Sequence, residues 1–476
     1  MTDDGGGKGA RRLRRRGGLS LLLVVLVAAT LLKPKSKPAK YMKLVPGRET
    51  TFLTEPARED GTIDYAKALF AEAAVGVTAE NNAAPLLARA LGREPEWLTV
   101  PTVPTMPTMI VEFERGETAG RDATAVRAWL ASIEPALELA AEAAKRDRCF
   151  VPPAGALFDR TLLAPLRESL PLAFALRACI RSADGARDAA LADLQVALRF
   201  SRLLARPGSL VDAAGRESSA RAALRGILGC ARQRGAIAAG ALADVAATLD
   251  RPPLDETLRQ GLFGWRIEAL DRMCAAYRGD AVETAPFARA RERANDAKGF
   301  GGLDPNRVLR RFNAQWDRVE AALLDAAEPW EERAERLAAL RVEIERTARE
   351  GEPSRKERPL PWIASRDEQA DQIADEATAR WIGLIGEALV AWLEAVVAVD
   401  RAVAIIAALD FSAETGRDPA STDELAPAVF AAPFRDRLLG GPLQFRRAAD
   451  GPLEAFGPPD ELVERVSRVV DPKPAK

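Results

Sequence analysis

From about residue 64 onward, apolar residues recur every three to four positions on an Ala, Leu, Arg and Glu background, interrupted at intervals by Pro and Gly. Over 123–145 this spacing puts Val126, Trp129, Leu130, Ile133, Leu137 and Ala140 on one face, as an amphipathic helix requires. The same pattern predicts helices over 161–182, 186–205, 209–233, 238–250 and 254–278, with breaks at Asp184-Gly185, Pro207-Gly208, Gly235 and Pro252-Pro253. Short loops between helices of this length imply antiparallel neighbours and an α-helical array or bundle. The stretch 185–205 faintly resembles one helix of a tetratricopeptide unit, but no second copy follows at a fixed period.

Further along, 316–348 reads as a long charged helix with a seam through Val319, Leu323, Ala326, Trp330, Leu337, Leu340 and Ile344. Pro329 should kink or divide it, because proline lacks the amide that continues a helix. The strongest helical pattern covers 367–413. Its middle is apolar enough to suggest a membrane span, yet Glu387, Glu394 and Arg401 recur every seven residues along one stripe. The longest uncharged stretch there, 402–409, is far too short to cross a bilayer, so a nearly buried core helix with one wet edge is expected. By contrast, 94–111 carries Pro-Thr-Val, Pro-Thr-Met and Pro-Thr-Met in succession, which suits an extended polyproline strap across a helical core.

After the long helix the pattern changes to short alternation. Leu443, Gln444, Phe445 and Arg446 alternate, Asp450-Gly451 signals a hairpin turn, and 453–456 returns as a partner strand. Leu443, Phe445 and Phe456 are expected to be buried against the end of the long helix.

At the other end lies an uncharged run, 19–32, opened by Leu19 and closed by Leu32. Arg11, Arg12, Arg14, Arg15 and Arg16 precede it and Lys33 follows it. Backbone amides in lipid must be satisfied internally, so such a run enters a bilayer as a helix. Two readings stay open: a single-pass anchor whose flanking Arg and Lys snorkel to the interface, or a signal peptide cleaved after Val27-Ala28-Ala29. The abrupt stop at lysines favours the anchor. Six basic residues before the run against five just after it orient the N-terminus to the cytoplasm and the body outside. The alternative location is secretion after cleavage.

Charge sharpens this division. The 476 residues hold 68 Lys and Arg against 69 Asp and Glu, yet residues 1–43 carry 11 basic and 2 acidic side chains, leaving the remainder net acidic. The expected partners are membrane lipid, through 19–32 and its basic flanks, and unknown envelope proteins. A nucleic-acid arm is not expected, since aromatics are only 6% and no recognisable module follows.

Candidate chemistry is sparse. There is no His, which removes Ser-His-Asp triads, Cys-His dyads and His-ligated metals. Cys149, Cys179, Cys230 and Cys274 are too widely spaced for a zinc ribbon or a Cys-x-x-Cys redox motif. In an Ala-rich helical body they are expected to be buried thiols; three disulfide pairings are the alternative if the body is exported. The glycine-rich stretch 298–305 follows no strand and reads as a linker into a helix capped by Asp304, with Pro305 at its first position. Glu387 and Glu394 are the best carboxylate pair for acid/base work. A separation of about 10 Å on one helix suits a salt-bridged edge better. Gly215-Arg216-Glu217-Ser218-Ser219 has no base partner at a motif spacing. No catalytic, cofactor-binding or metal residue is assigned.

The C-terminal order is Gly416 with Pro419, a Leu425 on a short helix, Pro433, then Gly441-Pro442-Leu443 with Phe445 and the Asp450-Gly451 turn. It resembles the C-terminal part of type II secretion pseudopilins. It is more similar to a set of uncharacterised bacterial single-pass membrane proteins with a helical extracytoplasmic body, as is the stretch 80–87 (Glu80, Asn81, Asn82, Ala83, Ala84, Pro85, Leu86, Leu87). Pseudopilins carry Glu at the fifth position of the apolar helix after their cleavage site. Here the fifth residue after Gly18 is Leu23, so the resemblance does not extend to fibre assembly.

The expected architecture is mainly α. It comprises a basic cytoplasmic tail (1–17), a transmembrane helix or signal peptide (18–32), a juxtamembrane linker (33–60) and a helical domain (61–300). A charged helical hairpin and loop (301–365), a long core helix (366–414) and a small C-terminal α/β module with a hairpin (415–476) complete it. The functional expectation is a membrane-anchored envelope protein acting as a non-enzymatic scaffold or protein-interaction module. Alternatives are a carboxylate-dependent hydrolase of envelope or extracellular polymer, and an accessory part of a secretion apparatus.

Overall fold

The computed structural model describes residues 43–91, 123–150, 169–203, 210–233, 237–278, 303–350, 366–426, 429, 434–447 and 452–470. The 19–32 run and the Pro/Thr segment 94–111 lie outside them. The chain from Leu44 to its end forms one compact unit. It is mainly helical, with a single small β-hairpin among the described residues.

In chain order the helices are α1 (Tyr65–Ala73), α2 (Ala84–Leu91), α3 (Ala123–Ala143), α4 (Ser169–Ala183), α5 (Arg187–Leu203) and α6 (Leu210–Arg232). There follow α7 (Ala239–Ala247), α8 (Leu254–Arg278), α9 (Pro305–Leu323), α10 (Trp330–Glu350) and α11 (Arg366–Thr415). A 3-10 turn (Thr422–Leu425), strands β1 (Gln444–Arg447) and β2 (Leu453–Phe456) and helix α12 (Pro459–Val470) close the fold.

Local chemistry explains the boundaries. Asp304 caps α9 by accepting from the backbone N–H of Asn306 at 2.9 Å, with Pro305 at the first helical position where its missing donor costs nothing. Pro329 divides the long charged pattern: α9 ends at Leu323 and α10 begins at Trp330. Gly185 takes φ +79° in the turn between α4 and α5, a conformation open to glycine because it has no Cβ.

The 50-residue α11 is the axis of the fold. By length and composition it alone among the described residues is long and apolar enough to cross a membrane. It packs instead against α6, α7, α9, α10 and α12, and 61% of its most apolar window is buried within the protein. Leu384, Glu387, Ala391 and Glu394 form its exposed edge.

Two apolar cores lie along this axis. The first unites α2 to α7 with residues from Val399 to Phe411 of α11 and with Leu443, Phe445, Leu453 and Ala455 of the hairpin. The second unites α8, α9, α10 and α12 with residues from Ala370 to Val397 of α11. Aromatic rings dominate the second: Trp316 stands edge-on to Trp381 at 6.4 Å, Trp265 to Trp381 at 6.0 Å, and Trp330 to Trp392 at 5.9 Å.

Two expectations are corrected. The linker expected over 33–60 is, from Leu44 on, a strap packed on the second core. Leu44, Thr50 and Thr51 are buried, Asn306 Oδ1 accepts from the amide of Val45 at 2.7 Å, and Asn313 Nδ2 donates to the carbonyl of Thr50 at 2.6 Å. The strap's backbone is satisfied piecemeal, by its own tight turns around Gly47 and Gly61 and by the side-chain amides of Asn306 and Asn313 on α9, so no periodic pattern announces it. In the hairpin, Phe456 is exposed rather than buried. Gln444 pairs with Phe456 and Phe445 with Ala455, so strand alternation turns Leu453 and Ala455 inward and Phe456 out, where Arg446 covers its ring at 5.1 Å.

Candidate functional site: a charged seam and an acidic groove

At four of the places where the chain passes from one core to the other, a buried or half-buried charged residue marks the passage. On α6, Glu217 lies between Leu210 of the second core and Ala220 of the first. Between α7 and α8, Arg251 separates Leu249 from Leu254. On α11, Asp400 follows Val397 and Val399, which belong to different cores, and in the C-terminal loop Arg437 falls between Phe434 and Leu438.

These four residues meet. Arg437 donates through Nε to Asp400 Oδ1 at 2.8 Å and through its backbone amide to Asp400 Oδ2 at 2.7 Å. Its two terminal nitrogens grip the Glu217 carboxylate at 3.1 and 2.9 Å. Arg251 adds a 2.9 Å bond to Asp400 Oδ1 and lies over the Phe434 ring at 4.4 Å. Burial on its own would lower the Arg437 pKa; the charges of Glu217 and Asp400 outweigh it and hold the guanidinium above its ordinary value. The seam is therefore a charge-balanced clasp. Every carboxylate oxygen of Asp400 and Glu217 is engaged by a guanidinium or amide, an arrangement that fixes register between elements rather than offering a proton to a substrate.

The same logic recurs away from the seam. Arg177 of α4 binds Asp193 of α5 at 3.1 and 2.7 Å and Glu134 of α3 at 2.8 Å. Arg307 and Arg311, one turn apart on α9, each take a bidentate grip on Asp371 and Asp375, one turn apart on α11, at 2.7 to 2.8 Å. Hydrogen bonds from Arg307 hold Asp371 below the ordinary carboxylate range.

The residues singled out in the sequence do not assemble. Glu387 and Glu394 sit on the exposed edge of α11, and Arg401 pairs with Asp460 of α12. Glu217 proves to be buried in the seam, paired over 220 positions of chain with Arg437, a separation that no local motif can signal. Among the described residues no cluster of three or more Cys, Asp and Glu is placed to hold a metal ion. All four cysteines are buried thiols.

One groove has a different character. Between α7 and α11, Gly240, Asp244, Ile406, Asp410, Glu414 and Val429 help enclose about 260 Å³. Gly240 allows the approach, because a Cβ there would fall 3.3 Å from Asp410 Oδ1. Partial burial, then the neighbouring charges of Glu414 and Asp244, push the Asp410 carboxyl above its usual range. Asp244, Asp410 and Glu414 thus bring three carboxylates to one groove, whose walls also include Val403, Ile406 and Ala407. Comparison of the chain with protein-family models, curated proteins and solved structures finds no match.

Proposed function

We propose that this chain is a membrane-anchored envelope protein whose helical body is a non-enzymatic scaffold for other proteins. One observation carries the reading: the buried carboxylates are used to hold the body together. Asp193, Glu217, Asp375 and Asp400 are clasped by arginines, Glu268 pairs with Arg272, and Asp436 accepts three backbone amides of its own turn. A carboxylate-dependent hydrolase needs an acid and a base poised over one cleft; these buried groups are committed to arginine or backbone donors, which leaves the α7–α11 groove with Asp244, Asp410 and Glu414 as the place where that alternative would act. The basic 1–16 tail and the uncharged 19–32 run support the anchor, with membrane lipid as the first partner.

Crosslinking in intact membranes, followed by detergent extraction and co-purification, tests the reading. The expected result is a protein that sediments with membranes, resists salt extraction and carries crosslinked envelope proteins. Recovery of the chain alone in soluble form overturns it.

A second reading, an accessory part of a secretion apparatus, is favoured by the hairpin seated on α11 through β2. Crosslinks to components of such an apparatus separate it from a general scaffold.

A further inference from the structure

We infer that Cys179 and Cys230 are the two ends of an intramolecular disulfide that staples α4 to α6 when the chain meets a disulfide oxidant. The inference goes beyond the scaffold reading and does not depend on it.

The geometry begins with the backbone. A Cβ built on Gly226 of α6 would fall 2.5 Å from the Cβ of Ala175 and 2.9 Å from its Cα, so α4 and α6 touch there almost backbone to backbone. Cys179 lies four residues beyond Ala175, and Cys230 four residues beyond Gly226. One turn along each helix therefore leads from the small-residue contact to a pair of thiols, which means that α4 and α6 run side by side in the same direction. The two Sγ atoms are 3.8 Å apart, and Cys179 Sγ also lies 3.5 Å from the Gly226 carbonyl oxygen, to which it donates. Both side chains are buried, Cys179 at 2% exposure and Cys230 at 0%.

A disulfide needs Cβ atoms roughly 3.5–4.5 Å apart and sulfurs about 2.05 Å apart. Two thiols 3.8 Å apart on closely packed helices have roughly 1.8 Å left to close, and rotation about χ1 moves each sulfur on that scale. The other two cysteines stand elsewhere. Cys274 belongs to the second core beside Tyr65, and Cys149 follows the C-terminal end of α3.

The exchange is balanced by an external disulfide such as oxidised glutathione. One cysteine, as the thiolate, attacks a glutathione sulfur, expels one glutathione thiolate and forms a mixed disulfide. The second cysteine thiolate then attacks the protein-side sulfur, closing the Cys179–Cys230 bond and expelling the second glutathione. The two protons given up by the cysteines pass to the two glutathione thiolates. The protein is oxidised by two electrons and the glutathione disulfide is reduced by two. Burial of both sulfurs requires α4 and α6 to open transiently, or the bond to form before they close during folding.

The test uses the full chain in detergent, incubated with oxidised glutathione in urea below the unfolding midpoint. It is then treated with iodoacetamide and digested with trypsin. The expected product is the linked pair of peptides 178–181 and 226–232, with Cys149 and Cys274 alkylated. Alkylation of all four cysteines, or a bond that includes Cys149 or Cys274, overturns the inference. Cys274→Ser should keep the linked pair and Cys230→Ser should abolish it. Should Cys230→Ser fail to fold, the peptide map of the wild-type chain still decides.

Discussion

Asp400 and Arg437 are joined twice, once through the guanidinium at 2.8 Å and once through the backbone amide at 2.7 Å, at the level where one apolar core gives way to the other. A buried ion pair adds little net stability over an apolar pair of the same volume, because both charges must leave water. Its value here is positional. Asp400 is 2% exposed, and a slip of α11 along its axis would leave that charge buried without a partner, so the clasp sets where each core begins.

Arg437→Leu should therefore be costly, leaving Asp400 with Arg251 and the backbone amide of residue 437, and Glu217 with only the longer contact from Arg216. Removal of one partner from a buried network typically costs about 3–5 kcal/mol. The quadruple variant Asp400→Leu, Glu217→Leu, Arg437→Leu, Arg251→Leu should recover most of that loss, since none of the four clasp charges is then left without its partner. Guanidinium unfolding midpoints of the three proteins check the order. A single variant as stable as wild type would show that the clasp does not hold the cores in register.

The close approach of α4 and α6 makes a second prediction. Gly226→Ala gains helix propensity worth about 1 kcal/mol, but its Cβ meets Ala175 backbone and side chain at distances that neither helix can absorb. Overpacking of this kind costs about 1–3 kcal/mol, so the net effect is destabilising. Gly383→Ala is the control. Its nearest neighbour is the Arg341 guanidinium carbon at 3.5 Å, an ordinary contact, and the substitution should stabilise by about 0.5–1 kcal/mol. Thermal unfolding should rank Gly383→Ala above wild type and Gly226→Ala below it.

These contacts mark what the chain discloses locally and what it does not. Helices such as α5, α6 and α8 are legible because three-to-four spacing of Leu, Ala and Ile is a property of adjacent residues, and the hairpin because alternation and an Asp-Gly turn are equally local. Helix α12 is less so: Leu462, Val463, Val466 and Val470 have the right spacing, but twelve residues between prolines read as the tail of a module. The strap from Leu44 to Ile63 has no period at all, since its hydrogen bonds are made by isolated turns and by two asparagines of α9. The seam is the extreme case. Its partners are separated by 37, 149 and 220 positions, and nothing near Glu217 or Asp400 foretells Arg437.

The ladder between α9 and α11 should govern behaviour in acid. Hydrogen bonds from Arg307 depress Asp371, so the folded chain binds fewer protons than the unfolded one as pH falls through the ordinary carboxylate range. The stability contributed by Asp371 is present above its unfolded pKa of about 3.9 and is lost as pH drops towards the lower folded value. Arg307→Gln removes the cause. Urea midpoints should then show a smaller loss between pH 5 and pH 3 for Arg307→Gln than for wild type; equal losses would place the acid sensitivity elsewhere.

Asp410 runs the opposite way. Partial burial in the α7–α11 groove, with Glu414 and Asp244 nearby, raises its pKa in the folded chain. The folded state then holds a proton that the unfolded state has already released, so stability falls as pH rises from about 3.9 through the higher folded value. Asp410→Asn replaces the carboxylate with a neutral group of the same shape and ends the repulsion with Glu414 and Asp244. It should raise the urea midpoint at pH 7 and leave it nearly unchanged at pH 3, where the native carboxyl is protonated in both states. A gain of equal size at both pH values would mean that the substitution acts through packing against Gly240 rather than through charge.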